Sequence, residues 1–100
     1  MINDKEKVKT YVGFAIKSRK IKFGVDDILK LKNVDIIIVS DALAESGMKK
    51  IEGFASKKSC KIFKLDKIEF FELVQNESIK AMAILDKNLA DAIKKNLTNN

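Results

Sequence analysis

Four consecutive β-branched aliphatic residues, Ile36-Ile37-Ile38-Val39, constrain this chain more than any other feature. β-Branched side chains favour extended backbone, and strand side chains alternate between faces. An unbroken apolar run therefore needs apolar cover on both sides. Residues 35–40 are predicted to form a central strand between two layers of helix.

The flanking pattern supplies those layers. Asp4 is a suitable N-cap, and Val8, Tyr11, Val12, Ala15 and Ile16 recur at helical spacing, predicting a first helix over 4–18. A short strand, 21–23, ends at Gly24. A second helix, 25–32, turns Ile28, Leu29 and Leu31 inward and stops at Asn33. A third, 44–57, aligns Ala44, Met48, Ile51 and Ala55. Lys61–Leu65 alternates polar and apolar and reads as a half-exposed strand. A fourth helix, 67–74, presents Ile68 and Phe71 with Leu73 or Val74. Residues 75–78 form a polar loop, 79–85 the last strand, and Asp86 caps a fifth helix over 87–97 with Leu89, Ala90, Ile93 and Leu97 inward. Strands alternating with helices imply an α/β protein, a three-layer α/β/α sandwich around a small four-stranded mixed sheet. One hundred residues make one domain, 1–100, with 1–3 and 98–100 expected to fray.

Composition excludes several classes of function. The chain has no His, removing His-based acid–base catalysis and His metal sites, and its single Cys60 has no intrachain partner. No nucleophile is paired with a base, and no phosphate-binding loop, dinucleotide fingerprint or metal-ligand spacing occurs. No enzymatic activity, cofactor, metal or small-molecule substrate is expected. No apolar run approaches the roughly 20 residues of a spanning helix, and the polar start MINDKEKVK is unlike a signal peptide, so a cytoplasmic protein is expected.

The net charge of +6 and pI near 9.4 favour a polyanion as partner. Lys17, Arg19, Lys20 and Lys22 crowd ahead of Gly24, which opens the second helix. Glycine permits close approach, and the first N–H groups of a helix lack internal partners. Two carboxylates, Asp26 and Asp27, stand at that same helix start and repel phosphate. They suit the helix dipole, and functionally they suit a base edge that donates hydrogen bonds. Flexible lysines beside them, with Lys30, would hold the phosphate backbone. Lys57, Lys58, Lys61 and Lys64 read as ordinary surface around the third strand, and Cys60 as packing at its start. Phe70 and Phe71 read as one core residue and one half-exposed residue, the latter available for base stacking.

These residues also carry a family resemblance, spanning about 10–97. Gly13-Phe14-Ala15 with Ser18-Arg19-Lys20 resembles a helix followed by a small-residue–Gly–Lys turn. Gly24-Val25-Asp26-Asp27-Ile28-Leu29-Lys30 resembles a Gly-x-Asn-Glu-x-x-Lys signature, and Ser40-Asp41-Ala42 the turn after the second strand. Ala83-Ile84-Leu85-Asp86-Lys87 resembles the last strand and the start of the final helix. Together they resemble the ribosomal L-seven-Ae / L-thirty-e superfamily of kink-turn RNA-binding proteins, in its bacterial YlxQ-like branch. The resemblance implies a structured RNA as partner, kink-turn-like and associated with the ribosome or translation factors. It implies an RNA surface of Lys20, Lys22, Gly24, Asp26, Asp27, Lys30, Ser40, Asp41, Gln75 and Asn76. The chain departs from the family at Asp26 (for Asn), Asp27 (for the longer Glu) and Phe23 (for a basic residue). Phe70-Phe71 and Val74-Gln75 replace Leu-Gly and Ala-Gly pairs, and the loop 75–78 is polar where the family's is apolar. These departures motivate an alternative, a protein-interaction module that kept the fold and lost RNA recognition.

Overall fold

The computed structural model describes residues 2–97. Element order is α1 (Lys5–Lys17), β1 (Ile21–Phe23), α2 (Val25–Ile28), β2 (Ile36–Ser40), α3 (Glu45–Lys58), β3 (Lys61–Leu65), α4 (Lys67–Val74), β4 (Ala81–Ile84) and α5 (Lys87–Lys94). The strands form one mixed sheet in the order β1-β4-β2-β3. β4 runs antiparallel to both β1 and β2, whereas β2 and β3 are parallel.

The aliphatic run is β2, and residues 36–39 are fully buried. Strand alternation divides it between two cores. Ile36 and Ile38 join Phe63, Leu65, Met82 and Ile84 under α1, α4 and α5, through Val8, Val12, Phe70, Ala90 and Ile93. Ile37 and Val39 join Ala81 and Ala83 under α2 and α3, through Ile28, Ile51 and Ala55. Each buried Ile contributes about 1.5–3 kcal/mol by leaving water. The sandwich predicted from sequence is the observed architecture.

Local chemistry fixes the helix ends. Asp4, Asp66 and Asp86 cap α1, α4 and α5 by accepting from N–H groups of Lys7, of Ile68 and Glu69, and of Leu89. At the other ends, α1 and α3 close through residues in the left-handed region. Arg19 (φ 59°) donates to the Ile16 carbonyl and Lys20 to that of Ala15; Ser59 (φ 53°) donates to Ser56 and Cys60 to Ala55. Both are Schellman motifs built without glycine. Gln75 (φ 55°) ends α4 by donating to Phe71.

Several expected boundaries and faces differ. α2 is a single turn, Val25–Ile28, not 25–32, because beyond Leu29 the bonds shorten to Lys30→Asp27 and Leu31→Ile28. β4 starts at Ala81, not 79, since the Ile79 N–H is spent on the Asn76 carbonyl inside the loop. α5 stops at Lys94, and Leu97 leaves the helix to pair with Ile2. Ile2 and Asn3 are not frayed: Ile2 is buried and Asn3 donates to the Asn96 carbonyl at 2.7 Å. Met1 and residues 98–100, also expected to fray, lie outside the described residues. In α4, Phe70 and Leu73 face the core, whereas Ile68 is 67% and Phe71 42% exposed. Ile16 of α1 is exposed as well.

Candidate nucleic-acid interface

Sheet register brings three separate segments to one end of the sandwich. β2 and β3 both finish there, at Ser40 and Leu65, β1 finishes there at Phe23, and β4 begins there. Backbone bonds tie the row together. Gly24 N–H donates to the Ala81 carbonyl at 3.0 Å, Ser40 N–H to Lys80 at 2.9 Å, and Asp41 N–H to Leu65 at 2.8 Å. Gly24 with Asp26 and Asp27, the Ser40–Ala42 turn and the loop entering β4 are therefore neighbours.

Gly24 has φ 88° and ψ 146°, a backbone that L side chains rarely adopt, so glycine is required by the turn itself. Its own N–H is committed to Ala81, and α2 is one turn long. A phosphate cradle at this helix start thus has few donors to offer. Asp26 and Asp27 are exposed, while Val25 and Ile28 of the same turn pack inward. They are open acceptors beside the sheet end.

Other expected residues have structural duties. Ser40 is buried, and its Oγ accepts from the Ala42 N–H at 3.0 Å, building the turn that displays Asp41. Asn76 Oδ1 accepts from both the N–H and Oγ of Ser78, shaping the loop and leaving its amide NH₂ as the free end. Gln75 is the exposed left-handed cap before it.

The lysines are dispersed. Lys22 pairs with Ala83, so its side chain leaves the α2/α3 side of edge strand β1. Lys20 stands at the opposite end of β1, where its carbonyl accepts from Leu85 N–H. Four residues of extended chain put it about 13 Å from Gly24. Lys30 is exposed on the turn after α2. The sheet end thus gathers Gly24, Asp26, Asp27, Ser40, Asp41 and Asn76, and does not gather Lys20.

A cleft of about 440 Å³ opens beside this end, between α4 and the loop entering β4. Buried Ser40 and Phe70 and half-buried Ile79 and Lys80 line it, with exposed Lys67, Ile68, Phe71, Asn76 and Glu77 around them. Lys67, Ile79 and Lys80 were not among the residues singled out from sequence. The signal available was Lys67 opening α4 and Lys80 immediately preceding the apolar run 81–85. Among the described residues, no group of three or more His, Cys, Asp or Glu is placed to hold a metal, and no helix is long and apolar enough to cross a membrane.

Against known proteins, no family model matches this chain, and no curated protein does either. Among solved structures, a protein with unknown function from Bacillus halodurans C aligns with a TM-score of 0.77 and 13% identity, covering 89% of this chain and 94% of that one. At that identity the likeness is one of fold alone.

Proposed function

We propose that this chain is a cytosolic, non-enzymatic protein that binds structured RNA, kink-turn-like in shape and associated with the ribosome or translation machinery. What carries this reading is the convergence of Gly24–Asp27, Ser40–Ala42 and the loop at Asn76 on one end of the sheet. These are the segments to which the superfamily resemblance assigns RNA contact. Two backbone details also support the resemblance. Arg19 and Gln75, standing where the family carries glycine, hold φ of 59° and 55°.

In this reading Asp26 and Asp27 accept hydrogen bonds from exposed amino or imino groups of bases, and the NH₂ of Asn76 donates to a base acceptor. Lys22, Lys67 and Lys80 neutralise phosphates around them. Binding is tested by titrating the protein with kink-turn RNA and with plain duplex at two salt concentrations; absence of binding to either near physiological salt refutes it.

A second reading, a protein-interaction module on the same fold, draws support from Ile68 and Phe71, which leave apolar surface open at the cleft. Pull-down with and without ribonuclease separates the two. A specific partner retained after ribonuclease favours the module.

A further inference from the structure

The positive charge of this chain is not spread evenly. Twenty cations face fourteen carboxylates, an excess of six. Residues 7–25 hold six cations, Lys7, Lys9, Lys17, Arg19, Lys20 and Lys22, and no carboxylate. The remaining residues therefore balance at fourteen of each sign, and the whole excess resides in α1, β1 and the turn between them.

All six side chains are exposed. Lys9 lines a shallow hollow together with Lys5, Glu6, Glu69 and Glu72, so carboxylates stand near it. Among the described residues the ion pairs are Lys5–Glu72, Lys49–Glu45 and Lys94–Asp91, so none of these six cations has a salt-bridge partner. Their placement is ordered. Lys7, Thr10, Phe14 and Lys17 follow one line along α1, about 15 Å long, while Val8, Val12 and Ala15 turn to the core. Arg19 then occupies its left-handed position in the turn. Lys20 follows just before edge strand β1, and Lys22 within it projects from the α2/α3 side of the sheet, away from the α1 layer. In the middle of this band Phe14 is 53% exposed.

Lysines on an edge strand discourage sheet-to-sheet pairing, which accounts for Lys20 and Lys22. That role does not account for Lys7, Lys17 or an aromatic ring left in water between them. Unpaired cations tracking beside an exposed ring are the features that hold single-stranded nucleic acid: charge follows the backbone and the ring stacks a base.

We infer that the outer side of α1, with the turn at Arg19, forms a second RNA surface, which holds an unpaired strand leaving the structured element bound at the Gly24 end. This rests on the RNA-binding reading and extends it to a single-stranded, sequence-tolerant segment stacked on Phe14.

The test uses a kink-turn RNA with and without a single-stranded tail, and two triple variants of equal charge change. Lys7→Gln/Lys17→Gln/Arg19→Gln alters the band; Lys50→Gln/Lys57→Gln/Lys64→Gln alters exposed lysines on α3 and β3. On tailed RNA the first triple should reduce the salt slope by about 2, three cations at roughly 0.7 each, while the second leaves it unchanged. Phe14→Ala should weaken tailed RNA by about tenfold and leave untailed RNA unaltered. Circular dichroism verifies that every variant is folded. Equal slopes for the two triples, or Phe14→Ala acting on both RNAs alike, overturns the inference while kink-turn binding stands. Binding of a bare single-stranded oligonucleotide that the first triple abolishes, without kink-turn preference, would uphold this surface and remove the structured-RNA reading. No binding to any RNA overturns both.

Discussion

Arg19 gives the sharpest stability prediction, because its conformation and its residue type disagree. With φ at 59° it serves as the left-handed residue of a Schellman motif, bonded to Ile16 while Lys20 bonds to Ala15. For a residue with Cβ this conformation costs about 1–2 kcal/mol. Glycine removes that cost but brings a more flexible unfolded chain, worth about 0.5–1 kcal/mol in the opposite direction. Arg19→Gly should therefore stabilise the fold by about 0.5–1 kcal/mol, raising Tm by about 2–8 °C in a domain of this size. Gly24→Ala is the mirror experiment. Nothing lies within 4 Å of the added Cβ, so only the backbone at φ 88° resists it. Strain of this kind costs about 1–3 kcal/mol and should lower Tm. Thermal melts followed by far-ultraviolet circular dichroism, with Arg19→Ala as a control for the lost side chain, read both effects. A lower Tm for Arg19→Gly than for Arg19→Ala would refute the reasoning, as would a neutral Gly24→Ala.

Asp66 has its carboxyl held below the ordinary aspartate range, chiefly by the Glu69 N–H and also by that of Ile68. A depressed folded-state pKa means the stabilisation is present above the unfolded value, near 3.8, and disappears as pH falls through the folded one. Asp66→Ala should cost about 1 kcal/mol at neutral pH, with the gap from wild type closing in acid; denaturant titrations at several pH values measure it. Ile2→Ala empties part of the core where Ile2 meets Leu97, and should cost about 2 kcal/mol in the same assay. Burial pushes the Cys60 thiol up, so it should react with disulfide reagents at neutral pH more slowly than a free cysteine peptide, and catch up in urea.

How far the sequence revealed this molecule differs from element to element. Ile36–Val39 disclosed the central strand and its two covered faces, because no half-exposed strand tolerates such a run. α4 hid its inner face: Ile68, Phe70, Phe71, Leu73 and Val74 make five of its eight residues apolar, so periodicity alone does not select Phe70 and Leu73. The end of α2 was invisible because the apolar pattern continues through Leu29 and Leu31 after the backbone has changed to tighter turns. For the candidate interface, adjacency in sequence misled. Lys20 precedes Gly24 by four residues, but an extended strand turns that into the full length of β1. The contributions of Lys67 and Lys80 depended on how the loop entering β4 folds back over α4, which the Asn76–Ser78 bonds determine. The left-handed backbones at Arg19 and Gln75 could be anticipated only from the glycines of the family that this chain resembles.

The most direct measurement is a pair of calorimetric titrations, kink-turn RNA against straight duplex of equal length, each at low and at near-physiological salt. The structured-RNA reading predicts tighter binding of the kink-turn at both salts, with affinity for either RNA falling as salt rises. It predicts further that Asp27→Ala erodes the preference while Lys22→Ala weakens both RNAs alike. Equal affinity for the two RNAs, or none at near-physiological salt, would contradict it.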